Sequence, residues 1–132
     1  TRDLDEAAKR LRTVAEASRD PELRLIAQSR LARVLSEQGK HDDALKLLDV
    51  TNAGSFTPVF HEIRGDVLAA KGDVAGARQA YDAALAATAS VQAQAFDRDY
   101  VELKRDALPA AVAAAAPAAA PSTVAPVEGT KP

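Results

Sequence analysis

The chain has 132 residues, 47% of them apolar and 27% charged, with 17 Lys plus Arg, 19 Asp plus Glu and no Cys, Met or Trp. That length supports one hydrophobic core and not two. A formal net charge of −2 argues against nucleic-acid binding, which needs clustered positive charge, and the lack of Cys excludes disulfides, thiolate zinc sites and iron–sulfur clusters from this chain.

Residues 1–106 read as helical throughout. Asp3 with Glu6 three residues on makes a capping-box start, and Leu4, Ala7, Leu11 and Val14 follow as one apolar stripe. Asp20-Pro21-Glu22 opens a second helix with a capping side chain, a proline at the first helical position and an acid near the positive dipole end. Its stripe runs Leu23, Ile26, Ala27, Leu31, Val34 and Leu35, and Gly39 ends it. A short third helix turns Ala44, Leu47 and Leu48 inward, and residues 52–56 form a turn cluster. Thr57-Pro58 starts a fourth helix carrying Val59, Ile63, Val67 and Leu68 as far as Gly72. Asp73 caps a fifth, with Val74, Ala77, Tyr81, Ala84 and Leu85 on one side. Phe96, Tyr100, Leu103 and Ala107 predict a closing helix over about residues 90–107. Strand signals are missing, so the fold class is all-α, with about six helices.

The composition changes near Asp106. Residues 107–132 hold eleven Ala and five Pro, with only Glu128 and Lys131 charged. Pro109 and Pro117 bracket the alanines at 113–116, and the stretch between them falls short of the ~12–15 residues an isolated helix needs. This tail is expected to be disordered, with a coil reach of roughly 30 Å. It lacks the P-x-x-P of a proline-rich ligand. Because the chain opens on Thr1 and contains no Met, it is read as a piece of a longer protein. Nothing in it forms an apolar run of about 18 residues or a signal peptide.

Residues 33–48 match residues 66–81 at a shift of 33: Gly39 falls on Gly72, Ala44 on Ala77 and Leu48 on Tyr81. Such a period marks a helix-hairpin solenoid, in which each hairpin has an apolar face that only a neighbour can bury. Ala32, Gly65, Ala44 and Ala77 are the small residues expected where paired helices approach, Leu35 and Leu68 the larger residues beside them, and Leu48 and Tyr81 the plugs beside the next hairpin. The boundaries expected are a half-repeat over 3–17, repeats over about 22–50 and 57–88, and a tail from 107. Leu4, Ala7 and Leu11 align with Val74, Ala77 and Tyr81, making residues 3–17 the second helix of a hairpin whose first helix would lie upstream.

The pattern resembles the tetratricopeptide repeat. Gln28, Leu31, Ala32 and Leu35, then His61, Arg64, Gly65 and Leu68, stand in its W-x2-L-G-x2-Y frame, without the Trp and with Arg64 at a usually aliphatic place. The runs at 20–35, 39–49 (Gly39-Lys40-His41-Asp42-Asp43-Ala44 onward) and 63–73 (Ile63-Arg64-Gly65-Asp66-Val67-Leu68 onward) resemble, more narrowly, the YfgM-like family, ancillary subunits of the bacterial SecYEG translocon. The resemblance covers about residues 3–106. It implies an N-terminal membrane helix, a repeat domain on the periplasmic side of the inner membrane, and two partners: SecYEG and a periplasmic prolyl-isomerase-type chaperone. The Arg-Gly-Asp at 64–66 belongs to the helix pattern and not to an integrin-type loop.

Catalysis has no candidate: His41 and His61 sit on different helices without metal-ligand spacing, and no nucleophile elbow or phosphate loop occurs. No cofactor is expected. The better lead is the face of the first helix in each hairpin, where Ile26, Ser29, Arg33 and Glu37, then Val59, Glu62, Asp66 and Ala69, would line a groove for a peptide or partner helix. Read otherwise, it is an ordinary solvated face. Its acids would repel acidic tails, and Asn52, the one Asn, lies in a turn and offers no carboxylate clamp. Phe56, Phe60, Phe96 and Tyr100 are expected to cluster where the last helix closes the array, and the flank of residues 4–14 is a place for self-association. The reading is a non-catalytic scaffold that docks translocon and chaperone partners; the alternative is a cytosolic repeat adaptor. An enzyme would need residues from another segment.

Overall fold

The computed structural model describes residues 1–88 and 96–110. Among them are six α-helices and no strand: α1 (Arg2–Ala17), α2 (Pro21–Glu37), α3 (His41–Leu47), α4 (Thr57–Lys71), α5 (Val74–Ala87) and α6 (Arg98–Asp106). The two repeats are the hairpins α2/α3 and α4/α5. Helix α1 packs on α2, and α6 packs on α5. Residues 90–95 of the expected closing helix, and the tail beyond residue 110, lie outside the described residues; α6 starts only at Arg98, capped by Asp97, so Phe96 precedes the helix instead of belonging to it.

Both hairpin turns are built alike, because each must end one helix and start an antiparallel one within a few residues. Gly39 and Gly72 take φ of 81° and 95°, a left-handed conformation costly for any residue with a Cβ. In the first turn Lys40 N–H reaches Leu35 O at 2.8 Å and Gly39 N–H reaches Ser36 O at 2.9 Å. In the second, Asp73 N–H reaches Leu68 O at 2.8 Å and Gly72 N–H reaches Ala69 O at 3.1 Å. These are the paired bonds of a Schellman motif, repeated 33 residues apart. Asp20 caps α2 and Asp73 caps α5 as the sequence indicates.

The core forms where small residues let helix backbones approach. Ala32, Ala44 and Ala77 have no exposed surface. The first core gathers Leu31, Leu35, Leu48, Phe60, Ile63 and Val67, and the second joins Ala77, Tyr81, Ala84, Leu85 and Val101, with Leu68 packed against it. Tyr81 lies across Gly65 within its own hairpin: a Cβ at Gly65 would fall 2.6 Å from Cδ1 and 2.9 Å from Cζ of the ring. Arg64, at the usually aliphatic position, donates to the Leu45 carbonyl at 3.4 Å, a second donor in the last turn of the short α3 beside the Leu48 N–H.

Four expectations change. Helix α1 starts two residues earlier than the capping box implies: Thr1 is the cap, accepting from Leu4 N–H at 3.4 Å. Its buried residues are Ala8 and Ala15, while Val14 is exposed. Ala8 and Ala15 lie two periods before Val74 and Tyr81, so the Leu4–Val74 alignment is one helical turn out. A four-residue slip rotates the face by only about 40°, which periodicity barely resolves. The four rings do not form one cluster either. Phe60 and Phe56 belong to the first core, Phe96 to the second, and Tyr100 is 52% exposed. Lastly, α6 buries Val101 and leaves Leu103 64% exposed, so its inward face is not the one its aromatic and leucine spacing suggests.

Candidate functional site

Helices α2 and α4 lead the two hairpins, and side chains at three- and four-residue spacing along them border a common open trough of about 380 Å³. Ile26, Phe56, Val59 and Ile63 give it an apolar floor, and Glu22, Ser29, Arg30 and Arg33 stand along α2 beside it. Ser29 Oγ donates to the Ile26 carbonyl at 2.7 Å, so its proton is used within its own helix. Arg30 is exposed and has no ion-pair partner among the described residues. Arg33 donates one N–H to Asp66 Oδ2 at 3.2 Å and keeps 48% of its side chain exposed. Glu37 is exposed at the far end of α2 and outside the trough lining. Ala69 packs against the second core.

Glu62 and Asp66 do not face open solvent as a negative groove would require. Lys104 of α6 places its ammonium 2.7 Å from Glu62 Oε2 and 2.8 Å from Asp66 Oδ1. The same ammonium lies 4.6 Å from the Tyr100 ring centre and 5.4 Å from that of Tyr81, within cation–π range. The Tyr81 hydroxyl completes the knot by donating to Asp66 Oδ1 at 2.6 Å. Glu62 is only 8% exposed, and a carboxylate so far from water needs a cation and hydrogen bonds to stay charged. Burial, and then the Asp66 acceptor, push the Tyr81 phenol well above the ordinary tyrosine range. With Arg33 on one side and Lys104 on the other, two carboxylates meet two cations and the cluster is neutral.

Sequence reasoning missed Lys104. The signal was present: Val101, Lys104 and Leu108 recur at three and four residues. A lysine in the middle of the stripe disguised it, because an amphipathic side chain can bury its stem while its head finds a partner. The Arg-Gly-Asp tripeptide is helical, with Gly65 under Tyr81 and Asp66 held by three donors.

The histidines stay apart. His41 Nδ1 lies 3.2 Å from Ser36 Oγ, and burial, then the Arg64 charge, lowers the pKa of half-buried His61. Among the described residues no group of His, Cys, Asp or Glu could hold a metal, and no helix is long and apolar enough to cross a membrane.

Paired helices at a 33-residue period, small residues at their contacts and an open first-helix face are accompanied by a match to the tetratricopeptide repeat-like domain over residues 1–110. The chain belongs to that family. It is 35% identical over 81 residues to the ancillary SecYEG translocon subunit of Escherichia coli (strain K12), covering 61% of this chain and 39% of that protein. It is 32% identical over 104 residues to the ancillary SecYEG translocon subunit of Neisseria gonorrhoeae (strain ATCC 700825 / FA 1090), covering 79% of this chain and 48% of that protein. The repeat domain thus matches less than half the length of these curated relatives. No solved structure matches it.

Proposed function

We propose that this chain is a non-catalytic protein-interaction scaffold, the repeat domain of an ancillary SecYEG translocon subunit held at the bacterial inner membrane with the repeats on the periplasmic side. The trough between α2 and α4 is its working face, and a periplasmic chaperone of the prolyl-isomerase type is its second partner. What supports the reading is the likeness of this chain to two translocon subunits, together with an open face that has an apolar floor and charged rims. A stacked-hairpin surface of this kind binds by shape and apolar burial, with charge choosing among partners.

The test is site-specific photo-crosslinking in the full-length protein in its native membrane. A photoreactive residue at Ser29 or Glu22, both at the trough, is expected to capture a SecYEG subunit, whereas one at exposed Gln79 on α5 is not. Capture of no SecYEG subunit from Ser29 or Glu22, or equal capture from Gln79, refutes the reading.

A further inference from the structure

The trough and the α4–α6 ion cluster together fix the sign of the charge offered to a partner. Glu62 and Asp66 are the only carboxylates of α4, and both are engaged by Lys104. The positive groups are not used up to the same extent. Arg30 has no ion-pair partner among the described residues, and Arg33 spends one N–H of its five on Asp66. The two arginines are three residues apart on α2, so their side chains emerge as neighbours on one face. Glu22, the remaining carboxylate at the trough, sits two helical turns from Arg30 at the start of α2, about 12 Å along the axis. Because Arg33 already balances the cluster, Arg30 is the uncompensated cation at that end of the trough, with the N–H groups that Arg33 leaves unused beside it and the apolar floor of Ile26, Val59 and Ile63 alongside.

From this we infer that the trough takes a protein segment that alternates carboxylates with aliphatic side chains. An aliphatic side chain sits on Ile26, Val59 and Ile63, and a neighbouring carboxylate is gripped by the Arg30 and Arg33 guanidinium groups. A guanidinium fork matches a carboxylate in two parallel hydrogen bonds, which a lysine could not supply. Lys104 shares the setting of this polarity with Arg33: together they neutralise Glu62 and Asp66 and remove the negative field that would otherwise turn acidic segments away. The inference rests on the scaffold reading and names the partner's chemistry at the same site.

Short fluorescein-labelled peptides with leucines at fixed positions and Glu, Gln or Lys at the others, titrated into the full chain by fluorescence anisotropy, test it. The Glu–Leu peptide is expected to bind about tenfold more tightly than the Lys–Leu peptide at low salt, with the Gln–Leu peptide between them. Arg30→Glu should abolish or reverse that order, and Arg2→Glu, the same charge change at the start of α1 and outside the trough lining, should leave it intact. Far-UV circular dichroism confirms that both variants keep their helices. A Lys–Leu peptide that binds as well as the Glu–Leu peptide, no binding of any peptide, or an Arg30→Glu variant that behaves as the parent overturns the inference. Crosslinking to SecYEG from Ser29 would survive each of those results, so the two failures are separable.

Discussion

Replacing Gly65 by alanine is the sharpest probe of the packing that positions α4. In an isolated helix the change would stabilise by about 1 kcal/mol, because glycine is the poorer helix former. Here the new methyl carbon would fall 2.6 Å from Cδ1 and 2.9 Å from Cζ of Tyr81, and against Cε1. The ring cannot swing aside cheaply: it is 3% exposed, and its hydroxyl is bonded to Asp66 at 2.6 Å. Over-packing of a core costs about 1–3 kcal/mol, and a clash with three ring atoms belongs at the upper end. The net expectation is a loss of about 2 kcal/mol, or a fall of about 8–16 °C in Tm for a domain of this size. Urea and thermal denaturation followed by circular dichroism measure it. In a Tyr81→Ala background the same substitution should become stabilising by about 1 kcal/mol, since only the propensity gain remains. A Gly65→Ala protein as stable as its parent, or an equal effect in both backgrounds, refutes the close approach of α4 and α5 at this point.

Lys104→Met should strip the buried Glu62 of its cation and cost about 3 kcal/mol, read as a lower urea midpoint with faster amide exchange in α6; an unaltered midpoint would show that the cluster contributes nothing to the fold. Because the Tyr81 phenol is raised in the folded chain, its stabilising effect is complete below the ordinary tyrosine value of about 10 and drains away as pH rises beyond it. Urea midpoints should therefore fall more steeply above about pH 10 in the parent than in Tyr81→Phe, and parallel curves would contradict this. At the surface, the hydrogen bond from Lys71 to Asp42 at 2.6 Å holds the Asp42 carboxyl below the ordinary aspartate value of about 3.9. NMR titration should show Asp42 protonating below that value, with its contribution present above it and lost on acidification, and Lys71→Met should bring the titration back up.

How far the sequence could be read depended on the range of the interaction involved. The turns were legible because Gly39, Gly72, Asp20 and Asp73 act within a few residues of themselves, through backbone conformation and caps that need no tertiary partner. The one-turn slip in α1 shows the limit of that reading: Ala7 and Ala8 are equivalent to a pattern search, and only contact with α2 selects Ala8. The trough was legible in part. Ile26, Ser29, Arg33 and Val59 do border it, whereas Arg30, Phe56 and Ile63 join them because of how α2 and α4 pack together.

By itself the sequence determined an all-helical chain of stacked hairpins, since the 33-residue period, the helix stops and the alanines at close contacts are written in local order. The tertiary structure decided the charge of the working face. Glu62 and Asp66 read as free acids until Lys104, 38 or more residues away, folds back within 3 Å of both. Local spacing carries no record of such a pairing, because an ion pair across helices depends on where two elements meet and not on the order of residues in either.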